Sequence, residues 1–147
     1  MREIKFRGKA DNPDVDHFGE WIYGDLVHIG DEVFIQNDNE APDVIAIRVN
    51  PESVGQYICS YKDNKKEIYE NDIFGITNKD SDIYHKECRI VKFIKDGFYL
   101  VDNANYGDHL SKEISVNTNY VGIAEFMREH NINYDIIGNM FDNSELI

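Results

Sequence analysis

The stretch that best indicates the fold class is RIVKFIKDGFYLV, residues Arg89–Val101. Two runs rich in β-branched and aromatic residues, Arg89–Ile94 and Phe98–Val101, lie on either side of Asp96-Gly97. Asp-Gly suits the positive φ angles of a type I′ turn, which joins two antiparallel strands. The stretch therefore predicts a β-hairpin.

Strand patterns also occur on both sides of this hairpin. Ile4 and Phe6 alternate with charged residues, which predicts a first strand that ends at Gly8. Asn71 follows a short apolar run, at a position where a tight turn favours the positive φ that Asn tolerates. Further strands are predicted at Trp21–Val27 and Val33–Ile35, which flank Gly30-Asp31, and at Val44–Val49 and Tyr134–Asn139.

One helix is predicted near the C-terminus. Its apolar residues fall at helical spacing, with Thr118 or Asn119 as the N-cap and Asn131 as the stop. The residues that set the spacing are Ile123, Phe126, Met127 and His130. Many short strands with a single helix predict a mostly β protein, either a barrel or a sandwich.

Composition and charge limit the classes of function. With 147 residues, 41% of them hydrophobic, the chain can form one ordinary core. Its formal net charge of -13 disfavours binding to nucleic-acid phosphates and to anionic membranes. Cys59 and Cys88 are too few for a disulfide framework, and no apolar run has the length of a signal or membrane segment. We expect a cytoplasmic protein.

Three groups of polar residues are candidates for metal or catalytic sites. Asp14 and Asp16 have calcium-loop spacing, but Phe18 takes a ligand position and Asp25 stands where a closing Glu is required. This loop, like Asp80-Ser81-Asp82, is interpreted as a charged surface loop.

The other two groups also favour a structural interpretation. His85 and Cys88, with Cys59 as a third ligand, would form only half of the paired ligand pattern of a structural zinc site. Carboxylates that surround one turn in so acidic a chain are interpreted as solvated charges: Glu67, Glu70 and Asp72. We therefore expect no catalytic, cofactor-binding or metal-binding residue.

Aromatic residues on the predicted strands give the one candidate for an interaction surface. Exposed rings offer a large contact area at a low entropic cost, and β-barrels use such grooves for peptides. Rings at strand spacing also commonly belong to a core, and this alternative stays open. The candidate residues are Trp21, Tyr23, Phe34 and Tyr57.

Four stretches, in this order along the chain, resemble the YopX family of phage and prophage proteins. They are Arg2–Arg7, Gly19–Gly24, Val54–Tyr57 continuing through Glu67–Ile73, and Ile137–Asn143. The family has Gly where this chain has Asn71, and a glycine-containing turn where it has Asp63–Lys66. The positions that match the family motifs are Arg2, Phe6, Arg7, Trp21, Gly24, Gly55, Gln56, Ile68, Tyr69, Asp72, Ile73, Gly138 and Asn139.

The resemblance implies a fold but no reaction. It implies one YopX-like domain over residues 1–147, in which residues 51–147 form an SH3-type β-barrel and residues 1–50 add strands beside it. It also implies a phage- or prophage-encoded protein of the bacterial cytoplasm.

The leading hypothesis for function is a non-enzymatic module that binds an unknown protein partner or further copies of itself. Two alternatives stay open. The acidic surface could imitate nucleic acid and inhibit a host protein, or the chain could be an uncharacterised metal-dependent or hydrolytic enzyme.

Overall fold

A computed structural model describes residues 3–14, 16–37, 45–61, 66–76, 88–94, 97–102, 120–122 and 134–146. The chain divides into two compact units, Met1–Tyr69 and Glu70–Ile147, and each unit contains one antiparallel sheet. Across the described residues there is no α-helix, and no helix is long and apolar enough to cross a membrane. The helix predicted around residues 123–130 lies outside the described residues.

The first unit contains a six-stranded sheet in the order β4-β3-β2-β1-β5-β6. β1 is an inner strand that pairs with β2 on one side and with β5 on the other. A short 3-10 turn, Pro51–Ser53, leads into β5 and is capped by Asn50, whose side chain accepts a hydrogen bond from the Glu52 N–H. The strands are β1 Phe6–Lys9, β2 Trp21–Ile29, β3 Glu32–Asn37, β4 Ile45–Arg48, β5 Gly55–Tyr61 and β6 Lys66–Tyr69.

One face of this sheet carries the hydrophobic core of the first unit. The buried residues of the core are Ala10, Ile22, Val33, Ile35 and Val49, and Phe6, Leu26, Ile47 and Val54 pack against them. The prediction that the first strand ends at Gly8 is wrong, because Gly8 lies inside β1. A Cβ at position 8 would come within 2.7 Å of Val49, so the glycine provides room for the core.

The predicted hairpin around Gly30-Asp31 is confirmed. Ile29 pairs with Glu32 across the turn, and Gly30 has a φ of 61°. A second close approach occurs at Gly24, where a Cβ would lie 1.9 Å from the carbonyl oxygen of Gln36. The pairing of β2 with β3 therefore requires glycine at position 24.

The second unit contains a five-stranded sheet in the order β10-β9-β8-β7-β11. The predicted hairpin around Asp96-Gly97 is confirmed by the β8–β9 register, which runs from Arg89 opposite Asp102 to Ile94 opposite Gly97. The buried residues of the described strands include Ile73, Phe74, Ile90, Val91, Leu100 and Val101. The strands are β7 Asp72–Ile76, β8 Arg89–Ile94, β9 Gly97–Asp102, β10 Tyr120–Gly122 and β11 Tyr134–Asn139, followed by a 3-10 turn, Ser144–Leu146.

Asn71 forms hydrogen bonds with residues of β8 and with Met140 in the second unit. It adopts a φ of 70°, which confirms the predicted turn. Its N–H donates to the Val91 carbonyl, its own carbonyl accepts from the Met140 N–H, and its Oδ1 accepts from the Lys92 ammonium at 2.6 Å. Asn takes the left-handed conformation here and also supplies a side-chain acceptor, which Gly cannot.

The barrel expected over residues 51–147 is not found among the described strands, which form two open sheets. The physical reason is that β1 supplies a pairing edge for β5, and β6 pairs with β5 in turn. Two strands of the expected barrel segment therefore belong to the first sheet. The proposed subdivision of one domain at residue 50 stays a prediction.

We expect Gly24→Ala to destabilise the fold by about 3 kcal/mol or more, because the added methyl group collides with backbone rather than with a side chain. The matched control is Gly30→Ala, where the same change meets no atom within 4 Å and the positive φ alone costs about 1 kcal/mol. Urea unfolding measures both variants. Equal losses at the two positions would contradict the close approach at Gly24.

Candidate functional site

Cations and aromatic rings share the face of the first sheet that lies opposite the core. Because side chains alternate along a strand, Arg7 and Lys9 point away from the side on which Phe6 packs. Lys9 pairs with Trp21 and Arg7 with Tyr23 in the β1–β2 register, and Tyr57 pairs with Tyr69 in the β5–β6 register. The cation–aromatic face, as we call it, consists of Lys5, Arg7, Lys9, Trp21, Tyr23, Tyr57 and Tyr69.

Arg7 lies at the centre of this face. Its side chain is buried, with 8% of the residue exposed, and its guanidinium carbon is 4.8 Å from the ring centroids of both Trp21 and Tyr69. A cation over a ring contributes about 0.5–2 kcal/mol, and more as water is excluded. The two rings therefore contribute to compensating Arg7 for lost solvation.

Tyr69 connects the remaining rings. It is 2% exposed, and its ring centroid is 5.6 Å from those of Tyr23 and Tyr57, both in edge-to-face geometry. Edge-to-face pairs place a positive ring edge against a negative ring face, which is the preferred arrangement of aromatic side chains. The ring of Tyr23 is thereby held in one orientation by a buried neighbour.

A charged hydrogen-bond chain borders the face. The Lys5 ammonium donates to Glu67, and the Tyr69 hydroxyl donates to the same carboxylate at 2.8 Å. Burial alone would raise the pKa of Glu67, but the hydrogen bonds from Lys5 and Tyr69 and the charge of Lys5 outweigh it and lower that pKa. Burial and the bond to Glu67 raise the pKa of Tyr69, so its hydroxyl stays protonated as a donor.

The face presents aromatic side chains to solvent along β2. Tyr23 is 43% exposed, and Trp21 is partly exposed beside it. Arg7, Tyr57 and Tyr69 are buried beneath or beside these rings. An ordered ring of this kind can contact a partner without losing much side-chain entropy.

The structure unites three of the four aromatic residues proposed as an interaction surface. Trp21, Tyr23 and Tyr57 all belong to the cation–aromatic face, although Tyr57 is buried. Phe34 lies on β3 and pairs with Val27 of β2. Among the described residues, no ring contact joins Phe34 to the other three. Sequence reasoning missed Arg7 and Tyr69 as the residues that link the rings.

A sequence signal existed for Arg7 but not for Tyr69. Basic residues stand at positions 5, 7 and 9, the spacing that places side chains on one face of a strand, and Trp21 and Tyr23 have the same spacing. Only the pairing of the two strands brings these patterns together.

The structure describes only some of the other candidate residues. Cys88 is buried, which raises the pKa of its thiol, and Cys59 is partly exposed, while His85, Asp80 and Asp82 lie outside the described residues. The described part of the chain contains no group of three or more His, Cys, Asp or Glu residues that could hold a metal ion. Glu67 belongs to the first unit, and Glu70 and Asp72 belong to the second.

Most of the described family-motif positions have structural roles. Ile68 and Ile73 are fully buried, and Asp72 is 2% exposed at the start of β7. Asn139 Oδ1 accepts from the N–H groups of Phe141 and Asp142, and a Cβ at Gly138 would lie 2.4 Å from Asn143. Gly55 and Gln56 pair with β1, while Arg2 lies outside the described residues.

A family model described as YopX protein matches residues 20–147, which is most of the chain. The chain belongs to the YopX family. This family is associated with phages and prophages, and its function is not established. No curated protein matches the chain. In this YopX chain the cation–aromatic face combines Trp21, Tyr23, Tyr57 and Tyr69 from the matched region with cations of β1, which precede it.

We expect Arg7→Lys to destabilise the fold by about 1–2 kcal/mol, because an ammonium lacks the planar guanidinium group that can stack on the rings of Trp21 and Tyr69. Urea unfolding gives the stability, and the emission of Trp21, the single tryptophan, reports the local change. The control is Arg48→Lys, where the guanidinium forms partly exposed ion pairs with Asp11 and Glu32 and the loss should be much smaller. Similar losses in both variants would contradict the stacked arrangement.

The stability that Glu67 contributes should depend on pH. Its pKa is lower in the folded protein than its ordinary value of 4.5, so the stabilisation is complete well above pH 4.5 and is lost as the pH falls through the folded pKa. We expect Glu67→Gln to be destabilising near neutral pH and to approach the parent protein in acid. Urea unfolding across this range tests this. A difference that does not change with pH would argue against the ion pair between Glu67 and Lys5.

Proposed function

We propose that this YopX protein is a non-enzymatic interaction module that binds a protein partner through the exposed part of the cation–aromatic face. The observation that carries the proposal is that Tyr23 is 43% exposed on β2 while its ring contacts the buried ring of Tyr69. The chain is proposed to act in the cytoplasm of the bacterium that carries the phage.

The chemistry of the face supports this role. Trp, Tyr and Arg are the residue types that contribute most to the binding energy at protein interfaces. Here Trp21 and Tyr23 lie side by side at the surface, and buried groups support both: Arg7 stacks on Trp21, and Tyr69 contacts Tyr23. Because the rings are already ordered, a partner would pay little to fix them on binding.

Charge favours a different protein over a second copy as the partner. Each chain carries a formal charge of -13, so two copies repel one another over long distances. A neutral or basic partner meets no such barrier.

The test is affinity capture from host cells that carry the phage, with the parent protein, Tyr23→Ala and Phe18→Ala compared side by side. Phe18 is a matched control, since it is an exposed aromatic residue of the same unit that lies in the loop between β1 and β2. We expect one stoichiometric partner with the parent and with Phe18→Ala, and a loss of at least about tenfold with Tyr23→Ala, as for an interface hot spot. Capture that does not distinguish the two variants would overturn the proposal.

A further inference from the structure

We infer that the partner contacts this face with an arginine side chain, which stacks on the Tyr23 ring and pairs with the Asp25 carboxylate. This inference deepens the proposed function and rests on it, because it names the chemistry of the partner at the same face. It commits to a basic protein as the occupant.

Position along β2 brings the ring and the carboxylate together. Tyr23 and Asp25 lie on the side of the strand opposite Ile22 and Leu26, which belong to the core, and both are exposed. Two residues along a strand span about 6.6 Å. A guanidinium group is planar and carries five N–H donors, so one arginine can cover a ring with its plane and donate to a carboxylate with its edge.

The face already binds cations in this way. Lys5 lies 4.7 Å from the Tyr57 centroid, Arg7 lies between two rings, and Lys9 lies 5.8 Å from the Trp21 centroid. Each of these cations of the N-terminal segment is therefore placed over an aromatic ring. An arginine on Tyr23 would extend the same arrangement to the most exposed ring of the face.

Charge complementarity favours the basic occupant. The net charge of -13 attracts a cationic partner and repels both anions and a second copy of the chain. Within the face, Glu67 offsets the charge of Lys5, and the charge of Arg7 is buried between rings. The exposed carboxylate of Asp25 lies next to Tyr23 on the same side of β2 and can pair with a cation of the partner.

The test uses a capped oligoarginine peptide as the probe and the fluorescence of Trp21 as the signal, since no other tryptophan is present. We expect Asp25→Asn to weaken binding about 3- to 5-fold, as for an exposed ion pair. Tyr23→Leu should weaken it about 2- to 5-fold, whereas Tyr23→Phe, which keeps the ring, should bind like the parent. A capped oligolysine of equal length should bind more weakly, because an ammonium cannot stack.

The control is Asp31→Asn, which makes the same charge change at an exposed position in the β2–β3 turn. Equal weakening by Asp25→Asn and Asp31→Asn would show general attraction to an acidic protein and would overturn the inference, as would Tyr23→Phe behaving like Tyr23→Leu. If capture from cells depends on Tyr23 but the probe does not distinguish Asp25 from Asp31, the proposed function stands and the arginine contact falls.

Discussion

The first sheet depends on the contact of Arg7 with the rings of Trp21 and Tyr69. A cation removed from water costs several kcal/mol unless its surroundings compensate it. Here the compensation includes rings from two other strands, β2 and β6. The burial of Arg7 therefore depends on Trp21 and Tyr69. Removing either ring would leave a buried charge with less support.

The position of β1 gives this contact its importance. In the strand order, β4, β3 and β2 lie on one side of β1, and β5 and β6 lie on the other. β1 thus joins the two halves of the sheet, yet its residues precede the region matched by the family model. The stretch Arg2–Arg7, which is part of the resemblance read from the sequence, is therefore structurally central, since its last two residues form the start of β1.

Local sequence signals predicted the local structure. Gly30-Asp31 and Asn71 each mark a turn that the fold contains, and Asp96-Gly97 marks the hairpin of β8 and β9, because the backbone geometry of a turn is decided by the residues within it. The pairing of β5 with β1 could not be predicted in this way, since it joins residues about fifty positions apart and leaves no local pattern. The same holds for Gly8, whose role depends on the distant Val49.

The same distinction between local sequence patterns and long-range strand pairing applies to the candidate site. Trp21, Tyr23 and Tyr57 could be selected as aromatic residues on strands, but their union through Arg7 and Tyr69 required the register of three strand pairs. Phe34 has the same local pattern, but among the described residues it makes no ring contact with them. On β3 it pairs with Val27, which lies four residues along β2 from Tyr23. Residue type and spacing therefore identified most of the rings and none of their connections.

The most direct test of the contact between Arg7 and the two rings is the NMR chemical shift of the Arg7 side-chain protons in the intact protein. Protons held over the faces of two aromatic rings are shielded, so we expect the Arg7 resonances to lie well upfield of their positions in an unstructured peptide. Trp21→Leu should move them back toward those positions. Arg7 resonances at ordinary values in the folded protein, unchanged by Trp21→Leu, would contradict the claim that this contact organises the sheet and its candidate site.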